Sequence, residues 1–183
     1  MGFWIFLGIV AVIVFWAIGL YNGLVQLKNQ VKNAWAQIDV QLKRRHDLIP
    51  NLVEVVKDYM SYEQETLQKV IQARSAAVSA TGTGDISHAE NQLTGALRQL
   101  FAVFENYPDL KANQNVMRLQ EELTGTENKI AFARQYYNDS VMSFNTKIQM
   151  FPANLIARNL GFKEEQYYEV PTEERENVKV DLR

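Results

Sequence analysis

The stretch "RRHDLIPNLV", residues 44–53, decides the fold, because the chain either turns there or continues through it as one helix. Four charged or titratable residues lead into an apolar run that contains a proline. Asp47 can cap a helix and Pro50 fits best in a first helical turn, which favours a hairpin. On this interpretation one helix ends near Arg45 and a second runs from Leu48 to about residue 80.

A seven-residue apolar phase opposes that hairpin. It passes through the proline without interruption, at Val31, Ile38, Arg45, Leu52 and Tyr59. A single helix kinked at the proline is therefore the alternative, and both remain open at this point.

The segment upstream of this helix is an uncharged apolar run, "FWIFLGIVAVIVFWAIGL", Phe3 to Leu20. Its 18 residues are enough to cross most of a bilayer core as a helix. Trp4, Trp16 and Tyr21 stand near its ends, where aromatic rings prefer the membrane interface. A cleaved signal peptide would need a basic start and a small-residue cleavage site, which this segment lacks. Residues 1–21 are predicted to be a transmembrane anchor.

The basic residues that flank this anchor predict its orientation. No Lys or Arg precedes the span, whereas Lys28 and Lys32 follow it closely and Lys43 follows farther on. The positive-inside rule then keeps the helical domain in the cytoplasm and places the short N-terminus outside. We expect a single-pass protein of the cell (inner) membrane.

Residues 22–162 show helical periodicity with short connections. "TGTGD", 81–85, is a linker, and Ser87 with Glu90 has capping-box form at the start of a third helix. A fourth helix is predicted from about 113 to 150, and a short one follows with Gly161 as its C-terminal cap. The fold class is therefore all-α, with the transmembrane helix followed by an antiparallel four-helix bundle. Residues 163–183 are predicted to be a charged tail, extended or mobile.

The composition argues against several classes of function. With 19 basic and 21 acidic residues the net charge is −2, which disfavours nucleic acid as a partner. The chain has no cysteine, and its two histidines, His46 and His88, lie outside any metal-binding spacing. His46 and Asp47 are helix neighbours about 100° apart, so they do not form a catalytic dyad. We predict no cofactor, no metal and no enzymatic activity.

The charged stretch is best interpreted as a corner of the bundle. Arg45 falls on the apolar phase, so it needs an acidic partner if it is buried, and the fourth helix offers Glu121, Glu122 and Glu127. On the same helix Asn138 and Asn145 are seven residues apart, as expected of interhelical hydrogen bonds that fix register in a coiled coil.

Two long segments carry a family resemblance. Residues 24–59, "LVQLKNQVKNAWAQIDVQLKRRHDLIPNLVEVVKDY", and residues 122–162, from "ELTGTENKIAFARQYYNDS" onward, closely resemble the LemA family. The resemblance implies a single-pass membrane protein with a helical-bundle soluble part and no assigned activity. His46 stands where the family often has Tyr, which weakens a catalytic role for it. The family's genetic neighbours imply a link to a membrane zinc protease or to proteins with a TPM-type domain.

Two functions follow as predictions. The first is a scaffold anchored in the lipid bilayer that assembles into homo-oligomers at the cell membrane, where Gly8, Ala11, Ala17 and Gly19 of the span would allow close helix packing. The alternative is an adaptor or regulator of a partner membrane protein in envelope quality control. The residues predicted to form the partner or oligomer surface, or the structural corner, are Arg44, Arg45, Asp47, Pro50, Asn51, Glu127, Asn128, Arg134, Tyr137, Asn138, Asn145, Phe151 and Pro152.

Overall fold

The structure, a computed structural model, describes residues 1–60 and 62–169. Over these residues the chain forms helices α1 (Gly2–Val56), α2 (Gln64–Ser79), α3 (Thr83–Phe104), α4 (Pro108–Ala112), α5 (Gln114–Gln149) and α6 (Ala153–Asn159). The predicted all-α fold is confirmed. The described chain divides into a first unit, Met1–Ile38 with Phe132–Gln166, and a second unit, Asp39–Ala131 with residues 167–169.

The predicted hairpin at residues 44–50 is wrong, because α1 continues through Pro50 to Val56. The uninterrupted apolar phase explains this result. Ile49 and Leu52, on either side of the proline, are fully buried in the core of the second unit. Burying two such side chains is worth about 3–6 kcal/mol, which is enough to offset the roughly 3 kcal/mol that an interior proline costs a helix. The chain turns later, between Val56 and Gln64.

The second unit is built around one apolar core to which α1 to α5 contribute. The three residues from Ala80 to Gly82 separate α2 from α3, and Gly82 adopts φ 87°, a conformation that favours glycine. The predicted capping box is wrong. Helix α3 already begins at Thr83, so Ser87 and Glu90 lie inside it and are both fully buried. The short helix α4 was not predicted.

The first unit pairs the first part of α1 with the second part of α5, and the two segments run antiparallel. The rings of Trp35 and Tyr137 pack edge to face with their centroids 5.3 Å apart. After α5 the Phe151–Pro152 bond is cis, and α6 follows. Gly161 has φ 73°, and the Phe162 N–H donates to the Ala157 carbonyl at 3.0 Å, so the predicted glycine cap is confirmed.

Residues 163–169 form no helix or strand. The rest of the segment predicted to be an extended or mobile tail, residues 170–183, lies outside the described residues.

Candidate functional site

A buried ion network lies inside the second unit and is centred on Arg45 of α1, which is 2% exposed. Its Nη1 donates to Oε2 of Glu90 on α3 at 3.2 Å, and its Nη2 lies 3.0 Å from Oε2 of Glu127 on α5. The same Nη2 donates to the Thr94 hydroxyl at 2.9 Å. The guanidinium therefore connects three helices through charge-assisted hydrogen bonds.

Glu90 is the acidic centre of this network and is fully buried. Its second oxygen, Oε1, lies 2.6 Å from Nε2 of His46, the residue after Arg45. A carboxylate can only accept hydrogen bonds, so this contact assigns a hydrogen to Nε2 of the imidazole. Both oxygens of Glu90 are thus engaged by α1. We interpret the contacts of Glu90 with Arg45 and His46 as fixing the register of α1 against α3.

The turn of α1 that contains Pro50 is completed by a side chain from α2. Proline has no N–H, so the carbonyl four residues earlier, that of His46, lacks its usual helical donor. Nε of Arg74 donates to that oxygen at 2.7 Å. Arg74 therefore restores the hydrogen bond that the proline removes, and it explains how the proline is accommodated without a break in the helix.

A second polar cluster lies in the first unit, where α5 holds the segment that follows α6. The Asn145 amide donates to the Glu165 carbonyl at 2.9 Å and accepts from the Glu165 N–H at 2.9 Å. The Tyr137 hydroxyl donates to the Gln166 carbonyl at 2.8 Å. Tyr137 and Asn145 are both buried, so these bonds satisfy side chains that water cannot reach.

Two groups of the second unit, half-buried Tyr107 and exposed Glu65, have shifted pKa values. Burial raises the pKa of Tyr107, and the Glu63 carboxylate, which accepts a 3.4 Å hydrogen bond from its hydroxyl, raises it further. The Lys69 amine donates to Glu65 at 2.8 Å and holds the pKa of that carboxyl below its usual range.

The residues predicted to form the corner or partner surface differ in burial and in the contacts they make. Arg45 and Glu127 come together as predicted, but Arg45 is buried and unavailable to a partner. Arg44 is exposed and lies 3.8 Å from Glu122. Asp47 caps no helix, because α1 continues past it, so that expectation was wrong.

The other predicted residues divide by exposure. Asp47, Pro50, Asn51, Asn128 and Phe151 are exposed, Asn138 and Pro152 are half-buried, and Arg134 is buried. Their role as an interaction surface stays a prediction.

Sequence reasoning missed Glu90, Thr94 and Arg74 as members of the network. Glu90 was assigned to a helix cap because of the Ser87 three residues before it. A usable signal existed, since Glu90, Leu93 and Leu97 share one helical face. An acid on an apolar face needs a basic partner when it is buried, and Arg45 is a base on the apolar face of α1.

Among residues 1–60 and 62–169, no group of three or more His, Asp and Glu side chains could hold a metal ion.

Comparison with known proteins places the chain in a family. The model of the LemA family matches residues 34–182. The chain belongs to the LemA family. The Protein LemA of Metamycoplasma hominis is 30% identical over 165 residues, an alignment that covers 88% of this chain and 74% of that protein.

Two further relatives of this LemA chain carry a different name. Magnetosome protein MamQ 2 of Paramagnetospirillum magneticum is 25% identical over 175 residues. Magnetosome protein MamQ of Magnetospirillum gryphiswaldense is 24% identical over 174 residues. Each alignment covers 81% of this chain but 64% of the relative, so these proteins are longer than the part that matches. Neither LemA nor MamQ is a name that denotes an enzymatic activity.

The N-terminal part of α1 points to membrane association. It contains an 18-residue window of mean hydropathy 2.6, and none of that window is buried in the structure. By length and composition the helix can cross a membrane.

Proposed function

We propose that this LemA protein is a non-enzymatic scaffold that is anchored in the cell membrane by α1 and self-associates along that helix. Its helical domain would lie in the cytoplasm, as Lys28 and Lys32 after the span favour. The buried network of Arg45 and Glu90 supports this proposal, because it locks helices together rather than presenting reactive groups to a substrate.

The proposal of self-association rests on an exposed stripe of residues along α1. Its members follow one another in alternating steps of four and three residues, and each is exposed and uncharged. We call it the α1 seam: Gly8, Val12, Phe15, Gly19, Asn22, Gln26, Asn29, Asn33 and Ala36. Such spacing keeps one face of a helix directed at a partner helix over many turns, as in coiled coils. The seam is about 42 Å long at 1.5 Å per residue.

The chemistry of the α1 seam changes where the helix leaves the apolar span. Within the span the seam contains Gly8 and Gly19, whose lack of a side chain lets two helix backbones approach closely in lipid. Beyond the span, between Asn22 and Asn33, the seam consists of amide side chains. These can donate and accept hydrogen bonds across a helix pair and so fix its register. The change suits a parallel pair of identical helices in one membrane, related by a two-fold axis.

Disulfide cross-linking tests this pairing directly, because the chain has no native cysteine. Single-cysteine variants Gln26→Cys and Asn29→Cys would be oxidised in membranes and analysed by non-reducing electrophoresis. A parallel pair brings each seam position next to its own copy, so both variants should form covalent dimers. The control is Ser143→Cys on the exposed surface of α5, which should remain monomeric.

The pattern of cross-linking distinguishes a specific parallel pair of α1 helices from random collisions. Equal cross-linking at Asn29 and Ser143 would indicate random collisions, and no cross-linking at either seam position would refute a parallel α1 pair.

Enzymatic activity is a separate question. A small molecule or metal ion that co-purifies in stoichiometric amount would overturn the non-enzymatic part of the proposal.

An adaptor for another membrane protein is the second candidate, and the turn between α1 and α2 favours it. Tyr62 is 94% exposed and Tyr59 is 44% exposed. Aromatic side chains at the surface are frequent anchors of protein–protein interfaces. A photo-crosslinking amino acid at position 62 would capture a distinct membrane protein, such as a zinc protease, if the chain is an adaptor. Recovery of self-contacts alone would count against this candidate.

A further inference from the structure

The first unit has an exposed apolar surface formed by α6 and the turn that precedes it. Its large side chains face solvent: Met150 is 56% exposed, Phe151 78%, Leu155 58% and Leu160 57%. Four such residues within eleven positions form a patch of the kind that marks a protein or membrane contact. The contacts that α6 makes within the first unit indicate whether a protein or a membrane covers this patch.

Helix α6 lies beside the apolar span itself. Leu155, Ile156, Asn159 and Leu160 line one groove, and the other wall consists of residues from α1, namely Val14, Ala17, Ile18 and Tyr21. The contact continues past the end of α6, where the rings of Tyr21 and Phe162 pack edge to face at 6.1 Å. The patch is therefore continuous with the surface of the membrane-spanning segment.

The position of this groove along α1 gives its depth in a bilayer. Phe3 to Leu20 spans about 27 Å as a helix, close to the roughly 30 Å of a hydrocarbon core. When α1 fills that core, Val14, Ala17 and Ile18 lie inside it, near the boundary on the side of the helical domain. Leu155 and Leu160, on the opposite wall of the groove, then reach the same depth.

The charges around the patch agree with this placement. Residues 1–38 contain no Asp or Glu, and residues 147–163 contain Lys147, Arg158 and Lys163 but no acid. The acids that follow lie beyond α6, where Glu164 accepts a 2.8 Å hydrogen bond from Gln149. Lys28 lies over the Phe162 ring, 5.6 Å from its centroid. Basic side chains beside an apolar face are the composition of segments that lie in the headgroup region and attract anionic lipids.

We infer that α6 and the turn before it insert into the phospholipid leaflet at the point where α1 leaves it, and so form a second membrane contact. Leu155, Leu160 and Phe151 would enter the acyl region, while Arg158 and Lys163 would face anionic headgroups. This inference rests on the insertion of α1 that is part of the proposed function. The second contact would fix the first unit against the membrane and limit the directions in which the α1 seam can face.

Depth-dependent fluorescence quenching tests the insertion in the full-length protein. Leu155→Cys and Leu160→Cys would be labelled with an environment-sensitive nitrobenzoxadiazole dye and reconstituted in phosphatidylcholine vesicles that contain phosphatidylglycerol. Ile9→Cys, which is 55% exposed in the apolar span and outside the groove, provides the control for a lipid position, and Ser143→Cys the control for a water position. Iodide quenches from the aqueous phase, and phospholipids with a doxyl group on the acyl chain quench from within the bilayer.

The inference predicts that dyes at positions 155 and 160 resemble the dye at position 9. Their emission should shift to the blue, lose intensity with doxyl lipid and resist iodide, whereas the dye at position 143 should do the reverse. Far-ultraviolet circular dichroism of each labelled variant confirms that it is folded. Agreement at either α6 position supports insertion, so the result does not depend on one substitution.

Three results would overturn the inference, and they have different meanings. If position 9 is in lipid and both α6 positions are quenched by iodide, α1 is inserted and α6 is not. If position 9 is also quenched by iodide, the anchor itself fails, and the proposed function fails with it. If the α6 dyes resist both quenchers while position 9 is in lipid, another protein surface, such as a second copy, covers the patch.

Discussion

Replacement of Glu90 by alanine should be among the most destabilising single changes in the second unit. Glu90 is fully buried, and its two oxygens contact Arg45 and His46 at 3.2 Å and 2.6 Å. Without that carboxylate, a guanidinium that is 2% exposed loses an anionic partner 3.2 Å away. The loss arises from an uncompensated buried charge, not from the small volume of side chain removed.

The structure limits the magnitude of this loss. Removal of one member of a buried ion pair costs about 3–5 kcal/mol. Arg45 keeps Glu127, 3.0 Å away, and the Thr94 hydroxyl, so we expect a value near the lower end, about 3 kcal/mol. For a chain of this size that corresponds to a melting temperature lower by roughly 6–12 °C. The double variant Arg45→Met/Glu90→Met should recover most of the loss, because neither charge then stays buried alone.

Thermal unfolding of the detergent-solubilised protein, followed by circular dichroism, measures this effect. The matched control is Glu65→Ala, which removes a carboxylate from an exposed pair with Lys69 and should leave the melting temperature almost unchanged. Equal shifts for Glu90→Ala and Glu65→Ala would refute the reasoning, since the buried carboxylate would then be no more important than an exposed one.

Three further predictions concern individual hydrogen bonds. Arg74→Ala should destabilise the protein by about 1–3 kcal/mol, but by less in a Pro50→Ala background, where the new amide restores the helical bond; a double-mutant cycle in urea measures the difference. Asn145→Ala should cost about 1–3 kcal/mol and speed hydrogen exchange of the backbone amide that it holds; unchanged exchange would contradict that contact. Burial and the Glu63 carboxylate raise the pKa of Tyr107, so its neutral hydroxyl stabilises the fold fully below about pH 10, and this contribution is lost as pH rises through the folded pKa. Tyr107→Phe should therefore flatten the alkaline decline in melting temperature, and identical declines would count against the contact.

The sequence was sufficient to predict the helical class, the apolar span and the extent of α5. These features depend on periodicity over many residues, which survives local exceptions. The cap at Gly161 was also predictable, because a positive φ at a helix end favours glycine and little else.

The hairpin at residues 44–50 was predicted wrongly because local and distant signals conflict there. Asp47 and Pro50 are good residues for a helix start, but the burial of Ile49 and Leu52 outweighs that preference. The group that makes the proline tolerable, Arg74, lies 28 residues away from the carbonyl it binds. No local pattern contains that information.

The buried network was only half predictable for a similar reason. The position of Arg45 on the apolar phase indicated that it needs an acid, and Glu127 was among the candidates. Glu90 was not, because its spacing from Ser87 matches a cap equally well. Only the packing of α3 against α1 distinguishes the two interpretations.

Self-association is the central claim, and the mass of the full-length protein in mild detergent tests it most directly. Multi-angle light scattering, corrected for bound detergent, should give an integral multiple of 21.1 kDa, at least two. Asn29→Lys places like charges opposite each other in the α1 seam and should lower that mass, whereas Gln135→Lys on the exposed surface of α5 should not. A monodisperse particle of one chain, or equal masses for both lysine variants, would contradict assembly through α1.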